Sequence, residues 1–317
     1  MPRARRLIAT VAAVGAVAAS LAAAAIALAP SRLTEAPAAR GKIVAVGAEN
    51  EYANVISQIG GRYVAVSAIE SNPNTDPHTF EASPSIAEAV GSADLVVQNG
   101  LGYDSFMGRI EAATSNSRRR VIDVQQLLGL PDSTPNPHLW YSPATMPAVA
   151  AAVGHDLTRL APAHRAYFKA RVRHFDASLN PWLNALKAFA KRYPSAPVAT
   201  TEPVGNYMLR AAGARNRTPW SLQADIMNGV DPAPQDVTAE DQLLGGRRVR
   251  ALLYNQQVTD TLTQTFLSTA RHAGVPVVGL YETMPTGYSY QSWMLAELRA
   301  LRRAVAGRVS TATLQLP

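Results

Sequence analysis

The 317-residue chain has no cysteine. Within it this excludes disulfides, thiolate zinc sites, a cysteine nucleophile, thiolate-ligated iron–sulfur clusters and lipid attachment through a cysteine. Histidine is also scarce, with six in all and none between residues 79 and 137. No His-Glu-x-x-His pair of the metalloprotease type occurs. Charge of either sign is thin, at 17% of residues, for a formal net charge of +7. Residues 1–39 supply Arg3, Arg5, Arg6 and Arg32 against Glu35, so the remainder carries only about +4, dispersed along the sequence. That is too weak and too scattered for a nucleic-acid footprint. Arg118-Arg119-Arg120 reads as a solvated turn ahead of a strand.

What is present begins with an export signal. Three arginines precede an uncharged run from Leu7 to Ala29, and Ala36-Pro37-Ala38 offers a small-x-small cleavage site. The run is long enough to span a bilayer, so an uncleaved anchor is the alternative. Either form places the rest of the chain in the periplasm or otherwise outside the cytoplasmic membrane. With 47% hydrophobic residues and more length than one core usually holds, two lobes are expected.

Two short motifs stand out, Asp76-Pro77-His78-Thr79-Phe80-Glu81 and Asn136-Pro137-His138-Leu139-Trp140. Each sets a histidine directly after a proline, which stiffens the loop that carries it. Imidazole is the commonest protein ligand for transition metals. A lone histidine is more often a surface or core residue, but the repeated pattern favours one metal held by His78 and His138.

Apolar runs and turn signals predict strands at 42–47, 63–69, 93–97 and 120–123, with helices at 51–59, 83–90 and 103–113 between them. After a helix over 144–161, Phe168, Val172, Phe175, Leu179, Trp182, Leu186, Phe189 and Tyr193 recur at spacings of four and three. That is one apolar stripe on a long helix, kinked near Pro181 and joining the lobes as a rigid strut. A coiled-coil seam is the alternative. The second half repeats the first, with strands at 197–201, 222–226, 250–254 and 276–280. Helices are expected at 204–212, 259–272 and 291–306, with a capping box at Thr238–Asp241. The fold class is α/β: two β/α lobes with parallel sheets joined by one long rigid helix. The divisions are 1–39, 40–162, 163–193 for the linker helix, and 194–317. Glu202 and Glu282 follow strands of the second lobe as His78 and His138 follow strands of the first. If the lobes face each other, two imidazoles and two carboxylates meet in the cleft and balance a dication. His155, His164, His174 and His272 lie outside the motifs and are expected to be surface or structural.

These motifs resemble those of the zinc/manganese solute-binding proteins of ABC transporters, over nearly all of residues 42–306. Asp76–Glu81 is similar to that family's first ligand motif, and Ala93-Asp-Leu-Val-Val-Gln-Asn-Gly-Leu-Gly102 to the stretch that follows it. Asn136–Trp140 resembles the second ligand motif, with Asn where Asp is more usual. Glu202 matches the third ligand position, and Glu282, in Leu280-Tyr-Glu-Thr-Met-Pro285, matches the fourth, usually Asp. The resemblance implies a monomeric binder rather than an enzyme, with ligands His78, His138, Glu202 and Glu282. It would capture Zn2+ or Mn2+ as cargo and pass it to a membrane permease. The missing histidine loop and the glutamate at 202 resemble the manganese type, whereas affinity order favours zinc. An exported metal-dependent hydrolase and a metal-binding surface adhesin are the rival readings.

Overall fold

The short apolar runs become strands, and every one pairs in parallel. The structure, a computed structural model, describes residues 41–314; the expected export segment lies outside the described residues. The first half runs β1 (Ile43–Glu49), α1 (Asn50–Gly60), β2 (Val64–Glu70), α2 (Pro84–Ser92), β3 (Leu95–Gln98), α3 (Ser105–Ala113), β4 (Arg120–Asp123), α4 (Val124–Leu127) and α5 (Thr145–Leu160). Then come α6 (Arg165–Ser178) and α7 (Asn180–Arg192). The second half runs β5 (Pro197–Thr200), α8 (Asn206–Ala211), β6 (Arg215–Asn216), α9 (Trp220–Met227), α10 (Pro234–Gly245), β7 (Leu252–Asn255), α11 (Thr261–Ala273), β8 (Val277–Leu280) and α12 (Tyr290–Gly307).

Two parallel four-stranded sheets result, ordered β2-β1-β3-β4 and β6-β5-β7-β8. Parallel neighbours need a crossover, and the helices that provide it cover both faces. The strands are accordingly apolar almost throughout: Leu95, Val96 and Val97, like Leu252, Leu253 and Tyr254, are buried. Loops at the carboxyl ends of such strands are the usual ligand-binding ground of open α/β sheets.

The apolar stripe is buried along its length. Phe168, Phe175, Leu179, Trp182, Leu186 and Phe189 belong to a single core cluster that also takes in side chains of both sheets. The stripe is carried by two helices in tandem, α6 and α7, rather than by one uninterrupted helix. Pro181 explains the break, since it has no N–H to give to Ala177 and its ring crowds that carbonyl. Leu183 N still bonds Leu179 O at 3.0 Å, so the joint is a kink rather than a loop. Helix α6 approaches α5 closely because residue 154 is glycine; a Cβ there would collide with Val172. Helix α7 packs on α12 through Trp182 and Tyr290, whose rings meet edge-on at 6.0 Å.

Other expectations are corrected. Residues 222–226 are helical, within α9, because Leu222 and Ile226 are spaced four apart on one buried face. The alternation that suggested a strand there ignores Gln223, which is also buried. Thr238 lies inside α10 and caps nothing; capping boxes form instead at Asp260/Thr263 and Ser289/Ser292. The arginine run is only partly solvated. Arg119 donates to Val90 O at 3.2 Å and Glu111 O at 2.8 Å, and Arg120 pairs with Asp156 at 2.9 Å. Of the remaining histidines, His164 stacks on Tyr63 at 3.8 Å, and His155, His174 and His272 are exposed.

Glu297 of α12 is fully buried. Its Oε1 accepts from Trp293 Nε1 at 2.8 Å, whereas Oε2 has no hydrogen-bond partner. Burial pushes this carboxyl up to about 8, against the opposing hydrogen bonds from Tyr141, Trp293 and the Tyr281 amide. A raised carboxyl stabilises the fold fully below its unfolded value near 4.5 and loses that contribution as pH climbs towards 8. Thermal unfolding of the metal-free protein should therefore show stability declining from acid to mildly alkaline pH. Glu297→Gln should remove on the order of 1–3 kcal/mol of that decline.

Candidate metal centre

Both proline-histidine motifs fold in the same way. Asp76 Oδ1 accepts from His78 N at 2.8 Å, and Asn136 Oδ1 from His138 N at 3.1 Å. The residue before each proline is held extended, so its short side chain can turn back onto the amide two positions ahead. Asp or Asn at that position thus sets the loop that aims the ring. Asn136 does more, because its Oδ1 also lies 2.8 Å from His138 Nδ1. That contact places a proton on Nδ1 and directs Nε2 into the cleft.

Three of the four expected ligands converge. His78, His138 and Glu282 each offer an atom within 4.8 Å of the others. Glu282 Oε2 lies 3.3 Å from His78 Nε2 and 3.0 Å from His138 Nε2. Glu202 is not in that group, and Asn255 links it to the others. Asn255 Nδ2 donates to Glu202 Oε2 at 2.7 Å and to Glu282 Oε1 at 2.6 Å. One oxygen of each glutamate is thereby occupied. Glu282 Oε2 faces the imidazoles, and Glu202 Oε1 is buried without any hydrogen-bond partner. Two imidazoles and the Glu282 carboxylate form a donor set suited to a divalent transition metal, and the orphaned oxygen of Glu202 belongs to a carboxyl joined to Glu282 through Asn255.

Sequence reasoning passed over three parts of this site. Asn255 ends β7, the same topological position that singled out the glutamates, but amides were not counted. Tyr103 donates to Glu282 Oε2 at 3.0 Å. Asn99 supports the His138 loop by donating to Pro137 O at 2.9 Å, and its Oδ1 accepts from Tyr52 at 2.7 Å. Gly100 and Gly102 near it have φ of 81° and 77°, a conformation that favours glycine, so the Asn-Gly-Leu-Gly turn is a support for the second histidine. Beneath lie three further buried carboxyls, Glu49, Glu51 and Glu70, whose oxygens all lack partners.

The electrostatics follow from burial and pairing. Burial alone would raise Glu282, but His138 and His78 together hold it well below the usual carboxylate range. Burial lowers His138, and the charge of Glu282 opposes that fall. Burial pulls His78, whose side chain keeps 24% of its surface open, downward, but Glu282 and Asp76 together raise it. Burial, then the charge on Glu282, raises Glu202 well above its ordinary value, and burial likewise raises Glu49 and Glu51 and takes Glu70 to about 9. A dication entering this site would displace the protons on His78 and Glu202.

The sequence matches the family described as "ZnuA: Zinc-uptake complex component A periplasmic" over residues 46–304. The zinc-binding protein TroA of Treponema pallidum is 27% identical over 183 residues, which is 56% of this chain and 59% of that protein. The match thus spans little more than half of each. The manganese-binding lipoprotein MntA of Bacillus subtilis is 21% identical over 234 residues, 71% of this chain and 74% of the relative. The solved structure of the Treponema pallidum periplasmic zinc-binding protein TroA superposes with a TM-score of 0.71 at 20% identity, covering 85% of this chain and all of that one. It shares the two-sheet α/β fold.

If Asn136 fixes the His138 tautomer, its loss should weaken metal binding without unfolding the protein. Asn136→Ala is expected to cost roughly 10–100-fold in zinc affinity by calorimetry, with Asn136→Asp retaining most of it.

Proposed function

Since the chain belongs to the zinc-uptake complex component A family, we propose that it captures a divalent transition metal outside the cytoplasmic membrane and delivers it to the permease of an ABC transporter. The observation that carries this reading is the convergence of His78, His138 and Glu282 within 4.8 Å, with Glu202 joined to Glu282 through Asn255. The first lobe, residues 40–162, supplies the imidazoles, and the second, 194–317, supplies the carboxylates. The helical pair between them holds the lobes at a fixed spacing. The cargo is Zn2+ or Mn2+, since both metals accept imidazole and carboxylate. The protein acts as a monomeric binder, and the metal is its substrate.

Release follows from small shifts of the ligand loops rather than from a wide hinge. Hydrogen bonds already tie the halves together around the site. Asn50 exchanges a reciprocal pair with Met284 at 2.8 and 2.9 Å, and Tyr290 donates to Trp140 O at 2.7 Å. Gln257 reaches from the second half to Thr75 O at 2.8 Å. A large rotation would break all of these together, each worth about 1 kcal/mol.

Calorimetry on metal-free protein tests the binding claim. One zinc per chain is expected, with His138→Ala or Glu282→Gln weakening it by roughly 100-fold or more. Zinc should bind at least as tightly as manganese. Wild-type zinc affinity in both variants would overturn the site. Because the proton on His78 must leave, affinity should rise with pH through the neutral range. The second test is X-ray scattering: metal-free and metal-loaded forms should give superimposable curves, and a marked compaction on loading would refute the small-shift mechanism.

A further inference from the structure

The small net charge conceals a segregation in space. Residues 41–317 carry 25 Lys and Arg against 22 Asp and Glu, and along the sequence the two signs look interspersed. In a parallel sheet, however, all strands start at one edge. The segments leading into β5, β6, β7 and β8 therefore share one end of the second sheet, opposite the end that bears Glu202, Asn255 and Glu282. Backbone hydrogen bonds join these segments: Arg215 N to Ala196 O at 2.9 Å, Arg250 N to Pro197 O at 2.8 Å and Leu252 N to Pro276 O at 2.9 Å.

That edge is arginine-rich. Arg192 precedes β5 and Arg215 opens β6; Arg247, Arg248 and Arg250 precede β7, and Arg271 precedes β8. The end of α12 arrives at the same place, because Arg308 donates to Gly274 O at 3.0 Å and Thr311 bridges to Val278 of β8. It adds Arg299, Arg302 and Arg303. No Asp or Glu occurs within 187–197, 210–217, 243–253, 268–279 or 298–314. Among the described residues none of these arginines is ion-paired with a carboxylate. Helix-dipole complementarity explains cations in the last turns of α7 and α11. It explains neither the three loop arginines before β7 nor the absence of acids.

Two grooves open on this end. One, of about 430 Å³, lies between Arg192 and Arg250. The other, of about 510 Å³, runs between α7 and α12 over Ala185, Phe189 and Leu298, with Arg192, Arg299 and Arg302 along it. Val309, 50% exposed, stands beside them. Guanidinium groups above an apolar floor match a phosphate head carried on a hydrocarbon body.

We propose that this arginine end of the second half docks on an anionic phospholipid surface, keeping the protein at the membrane whose permease it serves. The choice of lipid over other polyanions rests on the function proposed above. Clustered cations near an anionic leaflet are drawn to it additively. The metal site sits at the other end of the same strands, so docking leaves it open.

Co-sedimentation of the full chain with vesicles tests this. Vesicles of phosphatidylcholine alone are compared with equal mixtures of phosphatidylcholine and phosphatidylglycerol. The expected result is an excess of binding to the mixed vesicles that disappears at high salt. Insertion of the hydrophobic run 7–29 would act on both vesicle types, and the pull of Arg3, Arg5 and Arg6 on anionic lipid is common to every variant, so each loss is read against the wild-type excess. The set Arg247→Gln, Arg248→Gln, Arg250→Gln and Arg302→Gln should reduce the excess by roughly tenfold or more. The pair Arg248→Gln with Arg302→Gln should give an intermediate loss. A control set with the same charge change elsewhere, Arg118→Gln, Arg165→Gln, Lys169→Gln and Arg173→Gln, should leave the excess in place. No preference for phosphatidylglycerol, an excess that survives the first set, or equal loss in both sets would overturn the proposal. Zinc titration of every variant separates docking from folding. A wild type that binds vesicles but not zinc would strike at the transport reading and leave the docking result standing.

Discussion

One oxygen atom organises this molecule. Glu282 Oε2 is fully buried and is met by His78, His138 and Tyr103, all from the other half of the chain. A buried carboxylate without compensating partners costs several kcal/mol. Glu282 is ionised there only because the first half presents two imidazoles and a phenol to it. The contact joins the halves at the candidate cation site, since the two imidazoles that meet this oxygen are also its neighbours in the proposed ligand set. Asn255 completes the arrangement by taking one oxygen from each glutamate, which holds two carboxyls near each other without direct opposition.

The surrounding loops are braced so that this geometry is reached without strain. Gln257 Oε1 accepts from the amides of Glu282 and Thr283 at 2.7 and 2.9 Å, while its Nε2 reaches Thr75, on the loop that leads to His78. Asn136 similarly serves both sides, aligning His138 and donating to Pro203 O at 2.9 Å, next to Glu202. A single amide side chain thus couples a ligand loop of one half to that of the other in each case. Together with the buried stripe of α6 and α7, these braces tie the two halves together on either side of the candidate site.

Much of this was legible in the sequence, for identifiable reasons. Strand positions followed from short apolar runs ending in turn residues. The convergence of His78 and His138 followed from a repeated motif, and that of Glu282 from its place at a strand end. The stripe from Phe168 to Phe189 announced a buried helical surface, because a spacing of four and three is hard to mistake over that length. The failures have physical causes too. Residues 222–226 alternate as a strand would, and only the burial of Gln223 directly beside Leu222, with Ile226 one helical turn on, decides for a helix. Strand β6 is two residues long, below any periodicity. Asn255, Tyr103 and Asn99 were missed because a neutral side chain in a metal site carries no signature of its own. Its meaning comes from the distance to a ligand.

The charge distribution has the same origin as the site. Strand carboxyl ends in β/α lobes collect ligand-binding loops, and here they collect carboxyl groups: Glu49, Glu70 and Asp76 in the first half, Glu202 and Glu282 in the second. Helices that follow those strands end at the opposite edge, where their exposed carbonyls favour cations. A fold that gathers carboxylates at one edge therefore tolerates arginines at the other. The separation matters for capture. Four residues of strand span roughly 13 Å, beyond the Debye length of about 8 Å at physiological salt. The arginine end is thus screened from a dication that approaches the ionised Glu282. Opposite charges can be concentrated on one small lobe without either end weakening the other.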